Sequence, residues 1–180
     1  MPDPLTTFCE ASRAALRTDP GVPGREEVRR LVEGLVRNPD FVAAHVGPDA
    51  PTGKRTLYQD PELGFVVLGY HMEKGHRSPP HDHGRSWAIY AQVSEHTDMT
   101  LYRRKDGGAG AGPAEIEVDR EYRLGPGQAG LYDGPEIHAI DYPAGARYVR
   151  VTGCDLDHMQ RLRYDMAGGE AKIIESASAS

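Results

Sequence analysis

The chain is short of several things, and each shortage excludes a class of protein. It has two cysteines, Cys9 and Cys154, in dissimilar contexts, so no disulfide framework can be built from them. Its longest apolar run, Phe65-Val66-Val67-Leu68-Gly69-Tyr70, is too short to cross a bilayer. Positive charge is not in excess: 21 Lys and Arg stand against 27 Asp and Glu, for a net charge of −6. The two signs are interspersed, which fits neither a nucleic-acid footprint nor an interfacial membrane helix. Asp3 and Glu10 lie where a secretory signal would need a basic start and an apolar core. No internal repeat is present. The expectation is a soluble cytoplasmic protein of one domain, a monomer or small homo-oligomer, with no nucleic-acid and no membrane partner.

What is there changes texture along the chain. Residues 1–50 read as helical: Asp3-Pro4 is a favourable helix start, and Leu5, Phe8, Cys9, Ser12, Ala15 and Leu16 share one helical stripe. A second stripe runs through Val28, Leu31, Val32, Leu35 and Val36 and stops at Asn38-Pro39, with a short third helix over 41–46. From Arg55 onward short runs alternate with glycine, proline and aspartate, and predict strands over 55–59, 64–72, 86–93, 97–104, 114–118, 128–132, 137–141 and 147–152. Residues 105–113 are glycine-rich and read as a mobile loop, and 161–165 as a solvated charged face. The expected organisation is a helical segment over 1–50, a mainly β unit over 51–165 built as a sandwich or small barrel, and a flexible tail over 166–180.

The chemistry concentrates in Ser78-Pro79-Pro80-His81-Asp82-His83-Gly84. On an extended strand, positions i and i+2 point the same way, so His81 and His83 can grip one metal ion. His138, in Tyr132-Asp133-Gly134-Pro135-Glu136-Ile137-His138, supplies a third imidazole from a later strand. Three imidazoles complete one face of an octahedron and leave other positions open, as a structural metal site would not. Trp87 is expected to pack in the sheet, and Tyr90 to share the face of Ala88 and reach the pocket. In Tyr148-Val149-Arg150-Val151-Thr152, alternation puts the polar residues on one face and the valines on the other. If the valines face the helices, Arg150 faces the cavity; if they fill the barrel, it lies outside.

A histidine-x-histidine after a turn and a lone downstream histidine, amid short strands, resemble a cupin, the double-stranded β-helix jelly roll. More narrowly, residues 55–157 are similar to the cysteine dioxygenase (thiol dioxygenase) group, especially its bacterial branch. The similarity rests on Arg55-Thr56-Leu57-Tyr58, Gly75-His76-Arg77-Ser78, Pro80-His81-Asp82-His83-Gly84, Leu101-Tyr102-Arg103, the approach to His138, and Gly153-Cys154-Asp155-Leu156-Asp157. It implies a jelly-roll barrel with N-terminal helices packed on one side, and Fe(2+) held by His81, His83 and His138. It also implies a substrate carboxylate on Arg55, and O2 as co-substrate. By the period-two rule Tyr70 and Met72 would line the same cavity, and Arg150 would face it where the group places an outer-sphere relay.

The chain departs from that group at identifiable positions. The usual glutamate ligand five residues after the second histidine is Ala88, and so is the cysteine found there in animal enzymes. The Ser–His–Tyr relay positions hold Tyr148, Arg150 and Thr152. The expected reaction is oxidation of a small anionic thiol to its sulfinate, the thiol being cysteine, 3-mercaptopropionate or a mercaptosuccinate-like diacid able to pair with both Arg55 and Arg150. Two alternatives stay open: a three-histidine dioxygenase acting on a small non-thiol acid, and a non-catalytic metal-dependent sensor of a small anion.

Overall fold

A computed structural model describes residues 3–174. Helix α1 (Pro4–Thr18) begins where Asp3 accepts the Thr6 amide and proline fills the first turn, and it buries Leu5, Phe8, Cys9, Ser12 and Leu16. Helix α2 (Val22–Arg37) buries Val28, Val32, Leu35 and Val36 and ends at Asn38. The Asn38 side chain then accepts the amides of Asp40 and Phe41, which starts the short α3 (Pro39–Phe41) and the π-helical turn Val42–Val46. The strands follow: β1 (Gly53–Gln59), β2 (Val66–His71), β3 (His76–Arg77), β4 (Ala88–Ser94), β5 (Thr97–Arg104), β6 (Gly112–Pro113), β7 (Ile116–Leu124), β8 (Ala129–Tyr132), β9 (Ile137–Tyr142), β10 (Arg147–Thr152), β11 (Arg161–Asp165) and β12 (Glu170–Ile174).

One sheet has the order β1-β2-β10-β4-β8 and the facing one β3-β9-β5-β7, with every pairing antiparallel. Strands far apart in sequence lie side by side (β2 with β10, β3 with β9), which is the winding of a double-stranded β-helix. The fold is mainly β, as expected, with the helices packed on one side. Alternation sorts the side chains: Val67, Ile89, Ala91, Val149 and Val151 pack against the helices. Leu68, Tyr70, Tyr90 and Tyr148 point the other way and meet Met99, Leu101, Ile140 and Tyr142 of the second sheet. The valines of β10 therefore face the helices, while Tyr148, Arg150 and Thr152 face the lumen.

The structure corrects the expected tail. Residues 161–174 form an antiparallel hairpin, β11 against β12, and β12 also pairs with β6. Tyr164 and Ala171 are buried with Ala114, Ile116 and Ile137 in a small core on the outer side of the second sheet. Charges at alternate positions obscured this hairpin in the sequence, because only one of its faces is apolar. Residues 175–180, the rest of the expected tail, lie outside the described residues. The glycine-rich loop is likewise tied: Arg104 pairs with Asp106 and donates to the carbonyls of Gly110 (2.8 Å) and Pro113 (3.1 Å). Both cysteines are free, and burial pushes the Cys9 thiol up to about 12, so it is a packing residue. No helix among the described residues is long and apolar enough to cross a membrane.

Asp60 joins the helical layer to the barrel. Its buried carboxylate accepts the amides of Glu62 (2.9 Å) and Leu63 (2.7 Å) in the β1–β2 turn, and Arg13 Nε of α1 (2.8 Å). Burial alone would raise its pKa, but the Leu63 amide, Arg13 and Tyr58 outweigh it and hold the carboxyl below its ordinary 3.8. Replacing Asp60 with alanine orphans those donors and should cost about 2–4 kcal/mol in chemical denaturation at neutral pH. Since the folded pKa is the lower one, this stabilisation is complete above the unfolded value and fades as pH falls through the folded value. The parent and Asp60→Ala should therefore converge in acid; an equal gap at all pH values would assign the effect to packing alone.

Candidate metal centre

His81 lies in the segment between β3 and β4, and its backbone bridges β9 of the second sheet and β11. The His81 N–H donates to the His138 carbonyl, and the His81 carbonyl accepts the His138 N–H, both at 2.9 Å. That reciprocal pair sets the two rings at 4.7 Å between centroids. His83 follows on the same side, 4.8 Å from the His138 ring and 5.5 Å from that of His81. One nitrogen from each of the three imidazoles falls within 4.8 Å of the others. The structure thus brings together His81, His83 and His138 as the sequence motif required.

Asp82, unassigned in the sequence, holds the pair in place from behind. Its Oδ1 accepts the amides of Gly84 (2.9 Å) and Leu162 (3.0 Å), while its N–H donates to the Leu162 carbonyl (3.0 Å). Gly84 has φ +62, and a Cβ there would sit 2.6 Å from the Gln160 carbonyl oxygen, so glycine is required at this turn. The histidine loop is therefore fastened to β11.

Tautomers follow from the partners. His81 Nδ1 lies 2.9 Å from the Pro79 carbonyl and His138 Nδ1 lies 3.1 Å from that of Glu136. A carbonyl only accepts, so each Nδ1 carries the hydrogen and each Nε2 keeps a lone pair. His138 Nε2 and both nitrogens of His83 are buried with no hydrogen-bond partner. Burial pushes His81 down to about 4 and His138 down to about 3, and takes His83 well below 6.5; neighbouring rings add to it for His83 and His138, and nearby arginines for His81. Buried, neutral and unpartnered imidazole nitrogens converging on one point fit a transition-metal ion, with carbonyls orienting the rings from outside. Ala88, fully buried on the lumen face of β4, leaves the set at three.

A cavity of about 240 Å³ opens beside the cluster, with His81, Tyr70, Met72, Tyr90 and Arg150 in its wall. These are the lining residues the sequence named, with one exception. Arg55 pairs with Gly69, whose outward direction meets Leu57 and Val46, and its guanidinium donates to the His45 carbonyl. Arg55 therefore braces the helical layer and does not line this cavity. The residue of β1 that does is its neighbour Lys54, opposite Tyr70, in an ion pair with Asp157 at 2.8 Å.

Arg150 lies between two rings, its guanidinium carbon 5.2 Å from the Tyr70 centroid and 5.8 Å from that of Tyr90. Its Nη1 lies 3.5 Å from Tyr90 Oη, and its Nε is buried without a partner. Arg161 and Arg163, from the strand that sequence reasoning treated as a solvated face, also line the cavity. Their i, i+2 spacing in Arg161-Leu162-Arg163 was the available signal. Among the described residues, no carboxylate lines this cavity.

No protein-family model matches the sequence, and no curated protein matches it. Several solved structures are similar in shape at low identity. KdgF from Halomonas sp. has a TM-score of 0.41 and 16% identity, over 55% of this chain and 74% of that one. A cupin superfamily protein from Desulfitobacterium hafniense DCB-2 has a TM-score of 0.45 and 12% identity, over 64% and 88%. An oxalate oxidase in complex with the substrate analogue glycolate has a TM-score of 0.40 and 15% identity, over 61% and 54%. Each is a likeness of shape only.

Two outcomes are expected. His81→Ala, His83→Ala and His138→Ala should each lower bound metal sharply, by elemental analysis, with circular dichroism little changed; full occupancy in His138→Ala would place the third ligand elsewhere. The metal-free protein should also lose stability in acid. Its folded imidazoles titrate below the unfolded value near 6.5, so the unfolded chain takes up protons first. Stability is full above pH ~6.5 and falls toward the folded values, about 4 for His81 and about 3 for His138. Thermal melts of metal-free protein between pH ~7 and ~5 check this, and His138→Gln should flatten the slope.

Proposed function

We propose that this chain is a non-haem iron(II) dioxygenase that converts a small anionic thiol to its sulfinate. The observation that carries the reading is the juxtaposition of three neutral imidazoles, His83 and His138 fully buried, with a cavity lined by cations and, among the described residues, no carboxylate. Three neutral ligands leave a divalent ion its full charge, so a thiolate suits the site better than a neutral donor. Bound iron would supply the redox chemistry that joins O2 to sulfur. The overall reaction balances without another reductant: RS⁻ and O2 give RSO2⁻, and sulfur provides all the electrons.

The chain's own residues supply position. Arg150, already desolvated between Tyr70 and Tyr90, offers its unpartnered Nε to a substrate carboxylate in place of the Arg55 expected from sequence. Tyr90 Oη accepts from Arg150, so its own hydrogen remains available to the ligand. Tyr70 and Tyr148, stacked at 4.5 Å, and Met72 and Ile140 form apolar wall that limits water beside the reacting atoms.

One observation favours a second reading. Tyr148, Arg150 and Thr152 share the lumen face where thiol dioxygenases of the similar group carry their relay, and Thr152 is turned to the Cys154 carbonyl at 2.7 Å. A three-histidine oxygenase of a non-thiol acid would need no such relay. Oxygen uptake by iron-loaded protein, with a product heavier than the thiol by two oxygen atoms, tests the first reading. Uptake only with non-thiol acids would select the second, and none with any acid would leave an anion sensor.

Two substitutions separate roles. Arg150→Gln should lower kcat/KM for any carboxylate substrate by about ten- to a hundredfold, the equivalent of one charge-assisted hydrogen bond, with iron content retained. Thr152→Val should lose only its bond to Cys154, about 0.5–1.5 kcal/mol of stability, with turnover within a few-fold of the parent. A fall of several orders of magnitude with iron retained would give Thr152 a chemical role.

A further inference from the structure

We propose that Arg161, with Arg163 beside it, forms a second anion subsite at the mouth of the cavity, so that the preferred ligand is a small dianion such as a dicarboxylic acid. The inference deepens the reading above and rests on it only for the identity of the reacting group. Four permanent cations line the cavity: Lys54, Arg150, Arg161 and Arg163. Lys54 is neutralised by Asp157. Arg150, Arg161 and Arg163 have no carboxylate partner among the described residues, and the Nε atoms of Arg150 and Arg161 are buried without any hydrogen-bond partner.

An orphaned guanidinium donor in a confined space is unfavourable unless a ligand completes it. Arg150 comes from β10 in the first sheet and Arg161 from the C-terminal hairpin, so the two guanidinium groups enter the same cavity from different elements and offer separate donors. A ligand with an anionic group at each end, spanning a cavity of about 240 Å³, satisfies both and is of the size of a four-carbon diacid. The surrounding protein sharpens the contrast, since its overall charge is −6 while this cavity is lined by cations.

The placement of β11 supports a ligand-binding role over a purely structural one. Leu162 and Tyr164 point into the small outer core, which fixes the strand, and the intervening arginines point into the cavity. Arg163 bridges the backbone of His81 itself, so the second subsite is held in register with the metal cluster.

Binding can be measured without turnover, on the full chain loaded with zinc, by calorimetric titration with succinate and with butyrate, which has the same carbon count and one carboxylate fewer. Succinate should bind the parent at least about tenfold more tightly. In Arg161→Gln the succinate-to-butyrate ratio should fall to within about threefold, and Arg161→Lys should recover part of it. Arg150→Gln should weaken both ligands. Equal affinity for the two acids in the parent, or a ratio unchanged in Arg161→Gln with the melting temperature preserved, would overturn the subsite. Because zinc-loaded protein performs no oxidation, a preference for succinate would stand even if iron-loaded protein oxidised no thiol. Conversely, thiol oxidation with no succinate preference would retain the proposed function and remove the subsite.

Discussion

The structure depends on burying imidazole nitrogens that nothing among the described residues satisfies. Imidazole nitrogens without partners are unfavourable in a dry interior, yet His138 Nε2 and both nitrogens of His83 are placed there together. Their burial is maintained by features with no chemistry of their own: the reciprocal backbone pair between His81 and His138, the carbonyls that take their Nδ1 hydrogens, and the Asp82 turn. Desolvation then keeps the rings neutral, which is the state in which they can ligate. Leucine would be less costly than unpartnered imidazole at these positions in a metal-free interior, and the nitrogens placed here instead could hold an ion.

The same logic governs the charges nearby. Partly buried guanidinium groups elsewhere are answered by carboxylates, as for Arg13 with Asp60 and Arg25 with Asp133. In the cavity the answer is withheld from Arg150 and Arg161, while aromatic faces soften the desolvation of Arg150 without neutralising it. On the proposed function, an anion would complete this space, and a metal together with these cations would select ligands by charge before shape.

Much of this was legible in the sequence because it depends on period and turn chemistry. The helical stripes, the histidine pair and the lumen-facing alternation of Tyr148, Arg150 and Thr152 are all local patterns. The misplacement of Arg55 shows where locality ends. In a strand a one-residue shift exchanges faces, and the face of β1 is set by its pairing with β2, Arg55 opposite Gly69 and Lys54 opposite Tyr70. A motif found at a familiar spacing carries no information about that pairing. The hairpin over 161–174 was missed for a related reason: its apolar face packs on residues such as Ile116 and Ile137, whose nearness only the folded chain reveals.

That hairpin also explains how an outer element can matter to a buried centre. Its backbone takes hold of the histidine loop at several points: the Tyr164 amide donates to the Pro80 carbonyl at 2.8 Å, and Leu162 exchanges bonds with Asp82. The small core around Tyr164 and Ala171 therefore does more than cover the second sheet. Loosening it frees the segment carrying His81 and His83 and, in the same motion, the arginines at the cavity mouth. The histidine cluster and the cavity arginines thus rest on one support, so on the proposed function metal geometry and anion recognition would be separated by changing the side chains that point inward and not by changes in the outer core.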